Sequence, residues 1–204
     1  MTETLMNTSN PYDGPRVPGS VGPPLPGIEV RVTPSEGGTA EAPGRVGMLE
    51  VRGPNVCAGY WKDAQKTADA FTRDGFFVTG DLGSIDAAGY VHIVGRAKDL
   101  VISGGYNVYP KEVEAEIDAL PGVLESAVIG VPHPDFGEGV TAVVVRAAGA
   151  TLAEAELVAA LQRRLAGYKV PKRVLFVDEL PRNSMGKVQK AALRASYAAL
   201  YRPA

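Results

Sequence analysis

One cysteine, Cys57, stands in the 204 residues, so no intrachain disulfide can form. That fits a chain kept in a reducing cytosol. There are two histidines, His92 and His133, far apart in the chain; with a single thiol they do not make a transition-metal ligand set. An excess of one charge is missing as well. Lys and Arg number 21 against 23 Asp and Glu, a net charge of −2. This gives no basic surface for nucleic acid or for an anionic membrane. No apolar run approaches the ~18 residues a membrane span needs. A basic–apolar–small signal pattern is absent from the N-terminus, and "LYRPA" at the other end matches no lipidation or targeting signal. Internal repeats and a Walker-type glycine loop are also absent. Glycine and proline are plentiful, 24 and 16 residues, well above the roughly 12% of average usage. The chain is therefore rich in turns.

Residues 1–27, dominated by Asn, Thr, Gly and Pro, carry neither a helical nor a strand period and read as loop. A domain that opens on loop suggests one that began earlier. From 28 to 94 come short β-like runs: "IEVRV" at 28–32, "GMLEVRG" at 47–53, "GFFVTGDLGSID" at 75–86 and "YVHIVG" at 90–95. "TADAF" at 67–71 reads as a helical turn. After Gly105 the pattern changes. Pro110 suits a helix start, and Val113, Ile117 and Leu120 follow at i, i+4, i+7. "AVIGV" at 127–131 and "VTAVVV" at 140–145 read as strands joined by "PHPDFGEG". Thr151 and Glu154 have the spacing of a capping box. The helix behind them carries Leu157, Val158, Leu161 and Leu165, with Gly167 as a stop. "VLFV" at 174–177 is a further strand, and Leu193, Tyr197 and Leu200 mark a last helix. The fold class expected is α+β. A β-rich part over 1–97 precedes a small α+β domain over 98–204.

Four segments carry the chemistry: "MTETLMNTSNPYDG" at 1–14, "VTGDLG" at 78–83, "GRAKDLVISGGYNVYPKEVE" at 95–114 and "PRNSMGKVQK" at 181–190. Each alone is weak. In this order they resemble the adenylate-forming superfamily of acyl-CoA synthetases, peptide-synthetase adenylation domains and luciferases. The resemblance runs from residue 1 to about 194, and its first segment looks most like malonyl-CoA synthetases. Such enzymes join a carboxylate to ATP as an acyl-adenylate and then pass the acyl group to a thiol.

The resemblance implies roles residue by residue. Lys187 matches the lysine that stabilises charge developing on the α-phosphate, and Gly186 beside it lets backbone approach a ligand. Asn183 stands where relatives often carry Thr. Asp81 matches the aspartate accepting both ribose hydroxyls, a task suited to two carboxylate oxygens. Arg96 matches a nucleotide-holding arginine. Thr2 matches a phosphate-contacting hydroxyl and Glu3 the acid that supports Mg²⁺. Lys98 matches the hinge position between the two domains. Gly104 and Gly105 match a loop lining the channel for the pantetheine arm of CoA; read as residues alone, they are a tight turn. Arg16 lies in what the resemblance implies is the acyl-pocket region, where it would be a cation for the second carboxylate of a dicarboxylate such as malonate or a methyl-substituted malonate; a surface ion pair is its plainer and favoured reading. His92 reads as structural.

Relatives carry a Ser/Thr/Gly/Lys-rich phosphate loop and long αβ repeats that this sequence lacks. The chain therefore reads as the C-terminal portion of an acid–thiol ligase, inactive alone, that would need the preceding part of the enzyme. The partners implied are a small carboxylic acid, ATP with Mg²⁺, and CoA. The location implied is cytoplasmic, with no nucleic acid and no membrane. Two other readings stay open: an adenylation domain loading a carrier protein, and a non-catalytic nucleotide- or partner-binding module.

Overall fold

A computed structural model describes residues 1–34 and 43–202. The chain divides into two compact units, Met1–Lys98 and Asp99–Ala204. Among the described residues no helix is long and apolar enough to cross a membrane.

The first unit is built on four strands, β1 (Glu29–Thr33), β2 (Gly47–Arg52), β3 (Phe77–Ile85) and β4 (Val91–Arg96), in an antiparallel meander of order β1-β2-β3-β4. Val32, Leu49 and Val91 form its small buried cluster, with Val21, Val30 and Ile85 packed against it. Residues 1–27 contain no regular element; they lie against the sheet through bridges such as Gly22 to Val91. A short helix, α1 (Ala64–Ala70), starts where Asp63 accepts the Lys66 N–H at 3.0 Å. Two register shifts interrupt the sheet, and one falls between Leu82 and Gly83. Gly83 permits this irregularity, because a Cβ there would lie 2.3 Å from the His92 carbonyl oxygen. His92 is structural, contacting the Gly19 carbonyl at 3.2 Å and Asp86 Oδ2 at 3.1 Å.

The second unit follows a 3₁₀ turn at Ala97–Asp99. Its strands are β5 (Val101–Ser103), β6 (Tyr106–Val108), β7 (Val123–His133), β8 (Gly137–Arg146) and β9 (Arg173–Val177); its helices are α2 (Pro110–Asp118), α3 (Glu154–Gln162) and α4 (Lys190–Ser196). The order is β6-β5-β8-β7, with β9 parallel to β8. Side chains alternate between faces along a strand. Val128, Val140, Ala142 and Val144 pack with Val113 and Ile117 of α2 and Leu157 and Leu161 of α3. Ala127, Ile129, Val131, Val143 and Val145 pack with Leu180 and with Leu193 of α4. Both faces are covered, which explains why "VTAVVV" is nearly continuous in apolar residues. The α+β class expected from sequence is the observed one, with strands and helices in both units.

Three local expectations need correction. The segment "PHPDFGEG" is mostly strand: β7 runs to His133 and β8 starts at Gly137, pairing Pro132 with Glu138. The α3 cap is not the Thr151–Glu154 pair. Ala153 is the capping residue, and its N–H donates to Glu156 at 2.9 Å. Glu154 is drawn away to β9, where it accepts the Val174 N–H at 2.7 Å. Finally, α3 ends at Gln162, before Gly167. A backbone bond from Leu165 to the Leu161 carbonyl carries one further turn.

Candidate active site

In the first unit, the pleat and pairing of β3 and β4 bring Asp81 and Arg96 together as direct cross-strand partners. Arg96 Nε lies 2.9 Å from Asp81 Oδ1. The Asp81 backbone N–H donates to Thr79 Oγ1 at 3.0 Å, and that hydroxyl donates to the Leu49 carbonyl at 2.7 Å. Thr79 thus fixes the residue that presents the carboxylate. Gly80 between them has φ +73°, a left-handed turn of the strand that favours glycine. Burial pushes the Asp81 carboxyl up from its ordinary value, while the charge of Arg96 pulls it down. Asp81 and Thr79 line a cavity of about 280 Å³ whose other walls include Leu5, Met6, Val30 and Ile93. The combination is an apolar pocket with one oriented carboxylate and an adjacent guanidinium, a pattern suited to a polar ligand with hydroxyl donors and an anionic end.

The segment before β1 borders this pocket. Thr2 is exposed in a turn. Glu3 is held at both ends: its carbonyl accepts the Cys57 N–H at 2.8 Å, and its Oε1 accepts the Tyr60 hydroxyl at 3.3 Å. Burial, and then the Glu3 charge, pushes the Tyr60 hydroxyl's pKa up from its ordinary value. Among the described residues no group of three or more His, Cys, Asp or Glu is placed to hold a metal. A single carboxylate fits Mg²⁺ bound with a nucleotide, where phosphate oxygens and water supply most ligands. Asn55, which sequence reasoning did not single out, fastens the segment; its amide nitrogen donates to the Thr4 carbonyl at 2.5 Å and to Asn7 Oδ1 at 2.9 Å. Only a Pro-Asn turn signal marks it in the sequence. Arg16 is exposed and lines a separate, open depression with Ser9, Tyr12 and Pro23.

Lys98 is exposed within the 3₁₀ turn and is the last residue of the first unit.

In the second unit, Lys187 lies in a tight loop. Asn183 organises it: its Oδ1 accepts the N–H groups of Met185 at 3.0 Å and Lys187 at 2.9 Å, and its own N–H donates to the Lys187 carbonyl at 2.9 Å. Gly186 takes φ +76°, and its carbonyl accepts Arg182 Nη1 at 2.7 Å. Arg182 in turn pairs with Glu125. The backbone of Lys187 is pinned while its side chain is exposed, an arrangement that presents a cation on a fixed base. Gly104 and Gly105 form the two-residue turn of the β5–β6 hairpin, with φ +59° and +80°. Two left-handed residues in succession are what such a hairpin requires, so turn geometry alone accounts for both glycines.

Family models match segments in both units of the chain. The AMP-binding enzyme family model matches residues 1–61, and the AMP-binding enzyme C-terminal domain model matches residues 112–187. The chain belongs to the AMP-binding, adenylate-forming enzyme family. Among solved structures it is similar to ATP-bound MatB from Rhodopseudomonas palustris, with 65% identity and a TM-score of 0.93 over 99% of this chain and 40% of that one. Among curated proteins it is 48% identical to a feruloyl-CoA synthase of Amycolatopsis over 88% of this chain and 36% of that protein. It is 43% identical to the mitochondrial malonate–CoA ligase of Mus musculus over 95% and 36%. The chain thus spans well under half the length of each relative.

Proposed function

We propose that these 204 residues carry the C-terminal part of an ATP-dependent acid–thiol ligase. It would activate a small carboxylic acid as its acyl-adenylate and transfer the acyl group to CoA. The observation that carries this reading is the Asp81–Arg96 pair, whose carboxylate lines the cavity of about 280 Å³ in the first unit. A carboxylate with one oxygen beside a guanidinium and a second oxygen available suits a ribose diol next to phosphate. Thr2 and Glu3, on the pocket's bordering segment, would meet phosphate and Mg²⁺; the metal would neutralise phosphate charge. Lys187, on its pinned loop, would place a cation at the α-phosphate as the carboxylate attacks and pyrophosphate leaves. Lys98 would be the pivot between the two half-reactions, and the Gly104–Gly105 turn would border the thiol arm of CoA. Arg16 would face the second carboxylate of the acid. Malonate, or a methyl-substituted malonate, is the acid we favour, because the first segment resembles malonyl-CoA synthetases and a malonate–CoA ligase is among the relatives.

The test is made on a ligase carrying the preceding part of the enzyme. Lys187→Ala is expected to slow adenylation by orders of magnitude, since a positioned charge contributes roughly 3–4 kcal/mol, and to spare thioester formation from supplied acyl-AMP. Equal loss in both half-reactions would remove Lys187 from the role. The 204-residue chain alone is expected to release no AMP from ATP, acid and CoA above background, because catalytic groups without their positioning partners lose most of their effect.

A further inference from the structure

The β5–β6 hairpin packs Val101 and Val108 into the core, but few hydrogen bonds join it to its sheet. Toward β8 it has a single register pair, Ser103 with Gly137. Two other bonds stand in for a ladder. The Gly104 N–H donates to the Phe136 carbonyl at 2.9 Å. The Ile102 N–H donates to Glu138 Oε2 at 2.8 Å, so a side-chain carboxylate takes the place of a strand carbonyl. Room for that carboxylate is made on β7. A Cβ on Gly130 would lie 2.6 Å from Glu138 Oε1 and 2.7 Å from its Cδ. No positive φ explains glycine at 130; the carboxylate does. Glu138 and Gly130 are thus two halves of one fitting, 36 and 28 residues from Ile102 in the chain.

We infer that Glu138, seated over Gly130, is a positioning residue that holds the diglycine hairpin in place for the thioester half-reaction. The inference rests on the proposed ligase reading for its functional half. Its structural half stands on the Ile102 bond and the Gly130 vacancy alone. A hydrogen bond to a charged acceptor is among the stronger ones in a protein. It is also short-range, so losing it should free the hairpin without disturbing β7 and β8, whose pairing runs over ten residue pairs.

The structural half is tested by amide hydrogen exchange on the 204-residue chain. Glu138→Ala should speed exchange at Ile102 and Gly104 by about tenfold or more, with little change at Val143. Glu138→Gln keeps an acceptor oxygen and should restore most of the protection. Gly130→Ala should displace the carboxylate and reproduce Glu138→Ala, and the two combined should be no worse than either alone. Unchanged exchange at Ile102, or an equal rise at every amide, would overturn the assignment. The functional half is tested in a ligase carrying the preceding part of the enzyme. There Glu138→Ala should slow thioester formation from supplied acyl-AMP, or raise the KM for CoA, at least tenfold more than it affects pyrophosphate exchange, and Glu138→Gln should recover the difference. A loosened hairpin with both half-reactions equally affected, or neither, would refute the functional link while leaving the fitting intact. Failure of the ligase reading itself would appear differently, as absence of both half-reactions in the unsubstituted enzyme.

Discussion

Strand β7 lies at the edge of the second unit's sheet, with β8 on one side only. Edge strands leave outward N–H groups to be satisfied by other means. At Val128, which is fully buried, the partner is Glu114 of α2, whose Oε1 accepts the Val128 N–H at 2.9 Å. The same oxygen lies 2.5 Å from Lys190 Nζ at the start of α4. One carboxylate therefore ties α2 and α4 to the exposed edge of β7. Replacing Glu114 by Ala leaves a buried N–H unpaired, at a cost of about 1–3 kcal/mol. It also strands a lysine whose side chain is only 18% exposed. Breaking a fully buried pair costs roughly 3–5 kcal/mol; this one retains some water access, so the expected total is about 2–4 kcal/mol. Glu114→Gln keeps an acceptor for Val128 and loses the charge, and should cost less than Ala. Denaturant unfolding, read alongside exchange at the Val128 and Val143 amides to isolate the second unit, measures this. Glu114→Ala and Lys190→Met should be strongly non-additive when combined. A cost for Glu114→Ala below about 1 kcal/mol, or additive effects of the two substitutions, would mean that water satisfies the edge and the reasoning fails.

Asp86 accepts the N–H groups of Ala88 and Tyr90 and faces His92, and the His92 bond, followed by that from Tyr90, pulls its carboxyl below the ordinary value. Its stabilising contribution is therefore present above the unfolded-state pKa near ~3.9 and is lost as pH falls through the lower folded value; Asp86→Asn should flatten the acid limb of the stability curve, and an unchanged limb would contradict this. Gly105→Ala meets no atom within 4 Å but must hold φ +80°, so it should cost about 1–2 kcal/mol from backbone strain alone. Gly167→Ala, at a position with open space and no positive φ, should instead stabilise by ~0.4–1 kcal/mol, and thermal unfolding distinguishes the two. In a ligase carrying the preceding part of the enzyme, Lys98→Pro fixes φ and removes an N–H. It should leave one half-reaction near normal and cripple the other, whereas equal slowing of both would point to local misfolding and an effect on neither would move the pivot elsewhere.

How far the fold could be read from sequence depends on where each constraint lies. The strands of the first unit are legible because each is bounded by its own turn residues, and the apolar set on α2 is legible because one helix face is buried along its length. Local reasoning failed where a distant partner decided the outcome. Thr151 and Glu154 have capping spacing, yet β9 claims Glu154 through the Val174 N–H, and the cap shifts to Ala153. Gly167 looks like a helix stop, but α3 has ended by then. The diglycine could be seen as a turn; the hairpin around it could not, because β5 and β6 are three residues each and too short to show a period.

The site divides along the same line. Motif segments such as "VTGDLG" and "NSMGK" are contiguous, so the side chains that would meet a ligand are recognisable in a row. The groups that aim them are not contiguous. Thr79 sits inside "VTGDLG", but the Leu49 carbonyl that fixes it lies 30 residues away, and Asn55 reaches back 51 residues to Thr4. Glu138 reaches back 36 to Ile102. Asn55 and Glu138 are ordinary polar residues in their own neighbourhoods, with no periodicity or spacing to mark them. Asn183 is the intermediate case. Its position beside Lys187 is visible in sequence as a polar turn residue standing in place of Thr. Its work is visible only in the loop, where one carbonyl oxygen gathers two N–H groups and fixes the backbone from which the lysine projects. A threonine hydroxyl could accept at that position too, but it is one bond shorter than the Asn carbonyl. The reach needed to bond both Met185 and Lys187 therefore favours the residue this chain carries.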